Sequence, residues 1–139
     1  MHQEVNDELK NLINNAVAPK VVEPEKKSNL IEIGDFSKIE LRVGKILECH
    51  TIDGADKLYR FLVDVGEPTG PRTILSGVRE YFPDGNIFPG KYVCVVANLA
   101  PRKMRGFESN GMLLFAGGDS DKLFHVAPEG EPVPGALIR

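Results

Sequence analysis

The chain has 139 residues, 42% of them hydrophobic and 27% charged, and a formal net charge of −3. That length builds one ordinary core rather than two undersized ones. Its longest apolar run, Tyr92 to Ala100, is far shorter than the roughly 20 residues that span a bilayer, so a soluble protein without a membrane partner is expected.

Residues 1–30 differ from the rest. Val5, Leu9, Leu12, Ile13 and Ala16 fall on one side of a helix that Pro19 must end. Such a short amphipathic helix is marginal alone in water and is expected to dock or fray. The following stretch, Pro19 to Asn29, is charged and proline-bearing, as a linker is, and the domain boundary is placed near Leu30.

From Ile31 the pattern changes to short β-type segments separated by Gly, Pro, Asp and Asn. "KIELRVGKILECHTI" places Ile39, Leu41 and Val43 inward, and the phase slips at Gly44, which suggests a bulge in a long bent strand. "LYRFLVDVG" points Tyr59, Phe61, Val63 and Val65 to one side and Leu58, Arg60, Leu62 and Asp64 to the other. Arg72–Val78 is a third strand. "REYFPDGNIFPG" breaks the rhythm, with room for one helical turn before Pro83. Lys91–Leu99 and Gly111–Gly117 supply strands four and five. Two later apolar pieces, Leu123–Ala127 and Ala136–Ile138, suggest a C-terminal β extension over about 118–139, packed on the barrel or on a second copy.

The expected fold class is therefore all-β: a five-stranded OB-fold Greek-key barrel over about 36–117, with an N-terminal helix and linker and a C-terminal β extension. An SH3-like barrel and a small sandwich fit the same pattern.

Charge is unevenly placed. Pro101–Met112 holds three basic residues and one acidic, whereas Leu113–Ile138 holds one basic and four acidic. The basic run falls between strands four and five, in a loop that OB-folds use to grip oligonucleotides. Arg102 and Arg105 offer planar forks for phosphate, and Lys103 a mobile point charge. Asn98, Ser109 and Asn110 add groups able to reach sugar or base edges. Lys57 closes the loop between strands one and two, and Arg42 and Arg60 project from outward strand faces. Tyr59, Phe61 and Phe115 point inward, leaving Phe107 and Phe82 as the aromatic candidates for stacking. The expected recognition is of backbone and shape rather than base sequence.

No catalytic or metal-binding pattern accompanies this patch. His2, His50 and His125 pair with no nucleophile in a recognisable motif. Cys49 and Cys94 form no CxxC pair and follow no recognisable secretory leader, so both are read as reduced, buried side chains in a cytoplasmic protein. Neither metal nor cofactor is expected.

In order and spacing, "DFSKIELRVGKI", "GADKLYRFLVDVG", "RTILSGV" and "VVANLAPRKMRGFESNGMLL" resemble the tRNA-binding OB domain at the C-terminus of bacterial methionyl-tRNA synthetases. Similar domains occur in a stand-alone dimeric tRNA-binding protein, in endothelial monocyte-activating polypeptide and in a yeast synthetase cofactor. The resemblance covers Ile31–Arg139, with "NLxPRKxxGxxSxGM" as its specific core. It implies non-catalytic tRNA binding by shape, which helps a methionyl-tRNA synthetase catalytic body, in cis or in trans, to capture tRNA. It also implies a homodimer. The matching positions are Lys57, Ser76, Asn98, Arg102, Lys103, Ser109 and Met112, of which Met112 is expected in the core and Ser76 is expected to serve a backbone group. The HIGH and KMSKS signatures of an aminoacylating core are missing from these 139 residues, so no activity of their own is expected. A related export chaperone and the cytokine supply the competing reading, a dimeric protein-interaction module. The start of the chain resembles a linker of the ligase, and the readings as the end of a larger enzyme, a separate subunit or an excised piece stay open.

Overall fold

Alternating apolar side chains dominate the middle of the chain, and the computed structural model, which describes residues 29–118 and 122–139, folds them as antiparallel strands. The helix expected over Val5–Ala16 and all but the last residue of the Pro19–Asn29 linker lie outside the described residues. Gly34–Arg139 form a compact unit.

After a four-residue helix α1 (Ile33–Phe36) come β1 (Leu41–Ile52), β2 (Ala55–Asp64) and β3 (Arg72–Ser76), then a 3-10 turn (Gly85–Ile87) and β4 (Tyr92–Val96). They are followed by β5 (Arg102–Met104), β6 (Phe107–Ser109), β7 (Met112–Leu113), β8 (Phe115–Gly117), β9 (Leu123–His125) and β10 (Leu137–Ile138). The main sheet runs β3-β2-β1-β4-β7, with β10 added on β1. The architecture is an all-β, OB-like barrel.

The inward face of β2 is as the alternation requires: Tyr59, Phe61 and Val63 are buried, and Val65 beyond the strand is too. They join Ile46, Ile74, Val93, Val95 and Leu113 in the main core. Phe88 from the β3–β4 connection meets Tyr59 and Phe61 edge to face, with centroids 6.1 and 5.0 Å away. Phe82 packs against the same core, 5.1 Å from Phe88 and 6.0 Å from Phe115. It is a core ring and not a stacking surface. Cys94 is buried and Cys49 half-buried, both unpaired. Burial pushes the Cys49 thiol up to about 11, which keeps it protonated and unreactive at neutral pH.

Several local expectations shift. The slip in β1 lies between Ile46 and Glu48, where Leu47 is the extra residue against β2, and not at Gly44. Gly44 answers a different need: a Cβ there would meet Val63 Cγ1 at 2.7 Å and Val95 Cγ2 at 2.8 Å, so β1 can pass this close to both neighbours only without a side chain. The strand begins at Leu41, leaving Ile39 exposed. The 3-10 turn follows Pro83, where the Asp84 carboxylate accepts from the Asn86 N–H at 3.0 Å; Val78–Phe82 ahead of it is a hydrogen-bonded turn.

The expected fifth strand divides. Met112 and Leu113 pair with β4 and the Leu114 N–H donates to Cys94 C=O at 3.1 Å, then Phe115–Gly117 pairs with β9. The C-terminal segment finishes on β1, where β10 lies along Leu41 and Arg42 and the Val43 N–H donates to Ala136 C=O at 2.9 Å. β2 joins β1 only from Lys45, so the extension fills the edge that β2 leaves open. Among the described residues no helix is long and apolar enough to cross a membrane, and no group of three or more His, Cys, Asp or Glu could hold a metal ion.

Candidate nucleic-acid interface

The segment expected as a plain loop between strands four and five is itself a β-hairpin. Arg102, Lys103 and Met104 pair with Ser109, Glu108 and Phe107. A two-residue turn closes it, with Arg105 at φ 52° and Gly106 at φ 84°. Two positive φ values match the twist of a tight hairpin. Arg105 is the one non-glycine at positive φ among the described residues, so a strained position carries a cation at the hairpin tip.

Sequence also fixes how the hairpin sits. Met104 is half-buried against Ile52, Ala55, Leu58 and Leu75, a small second core. At the base, the Ser109 hydroxyl accepts from the Leu75 N–H at 2.9 Å, and the Asn110 N–H donates to Thr73 C=O at 2.8 Å. Both bonds occupy groups on the free edge of β3, which would otherwise lack ladder partners.

These contacts sort the ten candidate residues. Arg102, Lys103 and Arg105 are exposed, and none has an ion pair among the described residues. Arg60, on the outward face of β2, lays its guanidinium over the Phe107 ring, 4.9 Å from the centroid. That cation–π contact joins β2 to the hairpin. Lys57 is exposed but is the third residue of β2, because the β1–β2 turn is only Asp53–Gly54. Ser76 ends β3 opposite Tyr59, half-buried.

Four candidates are placed differently from the expectation. Ser109 is only 5% exposed and its hydroxyl is engaged, so it positions the hairpin and does not reach for sugar. Asn110 is half-buried at the same joint. Asn98 has both side-chain functions in use, accepting from the Glu40 N–H at 2.8 Å and donating to Lys38 C=O at 2.7 Å. Arg42 is turned to the C-terminal segment, donating to Glu40 Oε2 at 2.8 Å and Gly135 C=O at 2.7 Å. Met112, expected in the core, is 46% exposed, and Leu113 takes the core place.

Arg72 was not singled out by sequence. Its Nε and Nη2 grip the two Glu67 carboxylate oxygens at 2.8 and 2.7 Å, and its Nη1 donates to Ala97 C=O at 2.6 Å and Asn110 C=O at 3.2 Å. One guanidinium thus ties β3 to both ends of the hairpin segment. The hydrogen bonds that Arg72 donates hold the Glu67 carboxyl below its ordinary value, and the same bonds raise Arg72. An arginine five positions after a glutamate across "PTGP" was the available signal.

An exposed cation set, without an ion pair among the described residues, on a hairpin braced against β3 marks the molecule out as a β-barrel protein with a cationic hairpin. Residues 41–137 match the family described as a putative tRNA binding domain, and the chain belongs to that family. A methionine–tRNA ligase from Xylella fastidiosa is 44% identical over 117 residues, 84% of this chain and 16% of the ligase. The chain spans under one fifth of the length of these curated ligases. Among solved structures, a MetRS related protein from Pyrococcus horikoshii is similar at TM-score 0.72 and 31% identity, over 80% of this chain and 99% of that one. The CsaA chaperone protein from Picrophilus torridus is similar at TM-score 0.69 and 28% identity, over 79% and 100%.

Proposed function

We propose that this chain binds tRNA without catalysis and raises tRNA capture by a methionyl-tRNA synthetase, as part of the enzyme or as an associated subunit. The observation that supports it most is the exposed trio Arg102, Lys103 and Arg105, without an ion pair among the described residues, on a braced hairpin. Each can meet a phosphate without first giving up a protein partner, so recognition proceeds through backbone and shape. Arg60 and Lys57 extend the cationic surface. Ser109 and Asn110 serve by holding the hairpin, Asn98 by fastening the end of β4 to Lys38 and Glu40, and Ser76 and Arg42 stand as secondary positions. The unit over 31–139 acts as a cytoplasmic homodimer, the state implied by the family resemblance. No cofactor is required for phosphate contact.

A protein-interaction role, as the CsaA likeness suggests, is the second reading; it calls for an exposed apolar surface rather than free cations. The discriminating experiment is aminoacylation by a methionyl-tRNA synthetase catalytic body with and without this chain, fused or added. Capture lowers KM for tRNA with kcat unchanged. An unchanged KM in both formats removes the proposal.

A further inference from the structure

Beside the cationic hairpin lies a groove that phosphate contacts leave unused. It is lined chiefly by Leu75, Leu99, Met104 and Met112, with Arg102 on the same wall. Leu99 and Met112 are each 46% exposed, large apolar side chains side by side in the binding region. The Ser109 hydroxyl within it is already occupied by the Leu75 N–H and Gly111 C=O, so the wall offers few free polar groups. At about 460 Å³ the groove has the size of a site for one small group, within the roughly 300–1,000 Å³ of ligand clefts, and is small for a stretch of polypeptide.

The charge around it narrows the occupant. Arg102 lines the groove, Lys103 follows it and Arg105 stands at the hairpin tip. An apolar slot framed by cations complements a flat, apolar-faced group joined to phosphates. A base within a duplex cannot reach it, because its faces are stacked; a base splayed from a loop or an end can. Phe107 is poorly suited as the platform, since its ring already carries Arg60. Thioethers are polarizable and take aromatic rings well. The geometry points to an unpaired nucleobase of bound RNA lying in this groove against Met112 and Leu99, with its neighbouring phosphates on Arg102 and Lys103. This inference rests on the tRNA-binding reading and adds to it a preference for unpaired over fully paired RNA.

Methionine methyl NMR on the full chain tests it. The sequence has three methionines, so 13C-methyl labelling gives two reporters in the groove, Met104 and Met112, and a third at the start of the chain, Met1. Unfractionated tRNA is expected to move the Met104 and Met112 methyls upfield through the ring current of the base and to leave Met1 in place. A blunt-ended RNA duplex is expected to move neither groove methyl. Met112→Ala, at an exposed position that folding tolerates, is expected to weaken tRNA binding about two- to ten-fold with the salt slope unchanged, because no charge is removed. Saturating tRNA that binds with the full salt slope yet leaves both groove methyls still would overturn the groove and spare the phosphate reading. No tRNA binding at low salt would sink both. An unfolded apolar polypeptide that moves the same two methyls while tRNA does not would overturn the inference in favour of the chaperone-like reading.

Discussion

Two sets of cations in this protein live under opposite conditions. Arg42 and Arg72 are gripped by Glu40 and Glu67 and by backbone carbonyls. Arg102, Lys103 and Arg105 stand exposed on the β5–β6 hairpin without an ion pair among the described residues. The first set spends donors on protein partners and acts as internal bracing. The second has donors to spare and can exchange water for phosphate. Net charge, which sums both sets with every acid, conceals this division. The two are also linked: Arg72 holds Ala97 and Asn110, which flank the hairpin, so the braced arginine sets the position of the free ones.

Breaking the braced set is expected to show in stability. Arg72→Met leaves Glu67 without its partner and the Ala97 carbonyl without its donor. With side chains only 19% and 32% exposed, the loss is about 2 kcal/mol, or about 10 °C in Tm for a domain of this size. The same pair predicts an acid limb. Glu67 is held below its ordinary value of 4.5, so its stabilisation is present above that value and is lost as pH falls through the lower folded value. Urea midpoints measured from neutral to acid pH should therefore fall, and Glu67→Gln should start lower and fall less steeply.

A smaller effect is expected at the joint between the sets. Ser109→Ala leaves the buried Leu75 N–H unsatisfied and should lower stability by about 1–2 kcal/mol in thermal unfolding. Affinity should fall as well, because the hairpin loosens, although the side chain touches no ligand. The smallest change, with opposite sign, belongs to the tip. Arg105→Gly relieves the residue at positive φ and should stabilise by about 0.5–1 kcal/mol, while the log–log salt slope of tRNA binding becomes shallower by about one. A variant that is both stabler and weaker in binding would show that strain at Arg105 is kept for its charge.

The barrel was legible in the sequence because its signal is local. Alternation named Tyr59, Phe61, Val63 and Val65 correctly, and the two apolar pieces near the end became β9 and β10. The basic run was legible too, and its motif matched the family over 41–137. Contacts between distant segments were not. Gly44 looked like a bulge because period two breaks there, but the break reflects the approach of Val63 and Val95, both remote in sequence. Asn98, Ser109 and Asn110 looked like ligand-reaching groups because polar side chains in a loop read alike whether their partner is solvent or a strand edge. Arg72 went unnoticed for the same reason, its partners Ala97 and Asn110 being 25 and 38 positions away.

The most direct test of the division between free and braced cations is a titration with unfractionated tRNA at several salt concentrations, comparing the parent chain with Arg102→Ala/Lys103→Ala/Arg105→Ala. If the trio carries the phosphate contacts, the variant keeps its Tm, binds about 100-fold more weakly at low salt and has a log–log salt slope shallower by about two to three. Unchanged affinity and slope in a fully folded variant would contradict it, and would leave the hairpin a solvated turn.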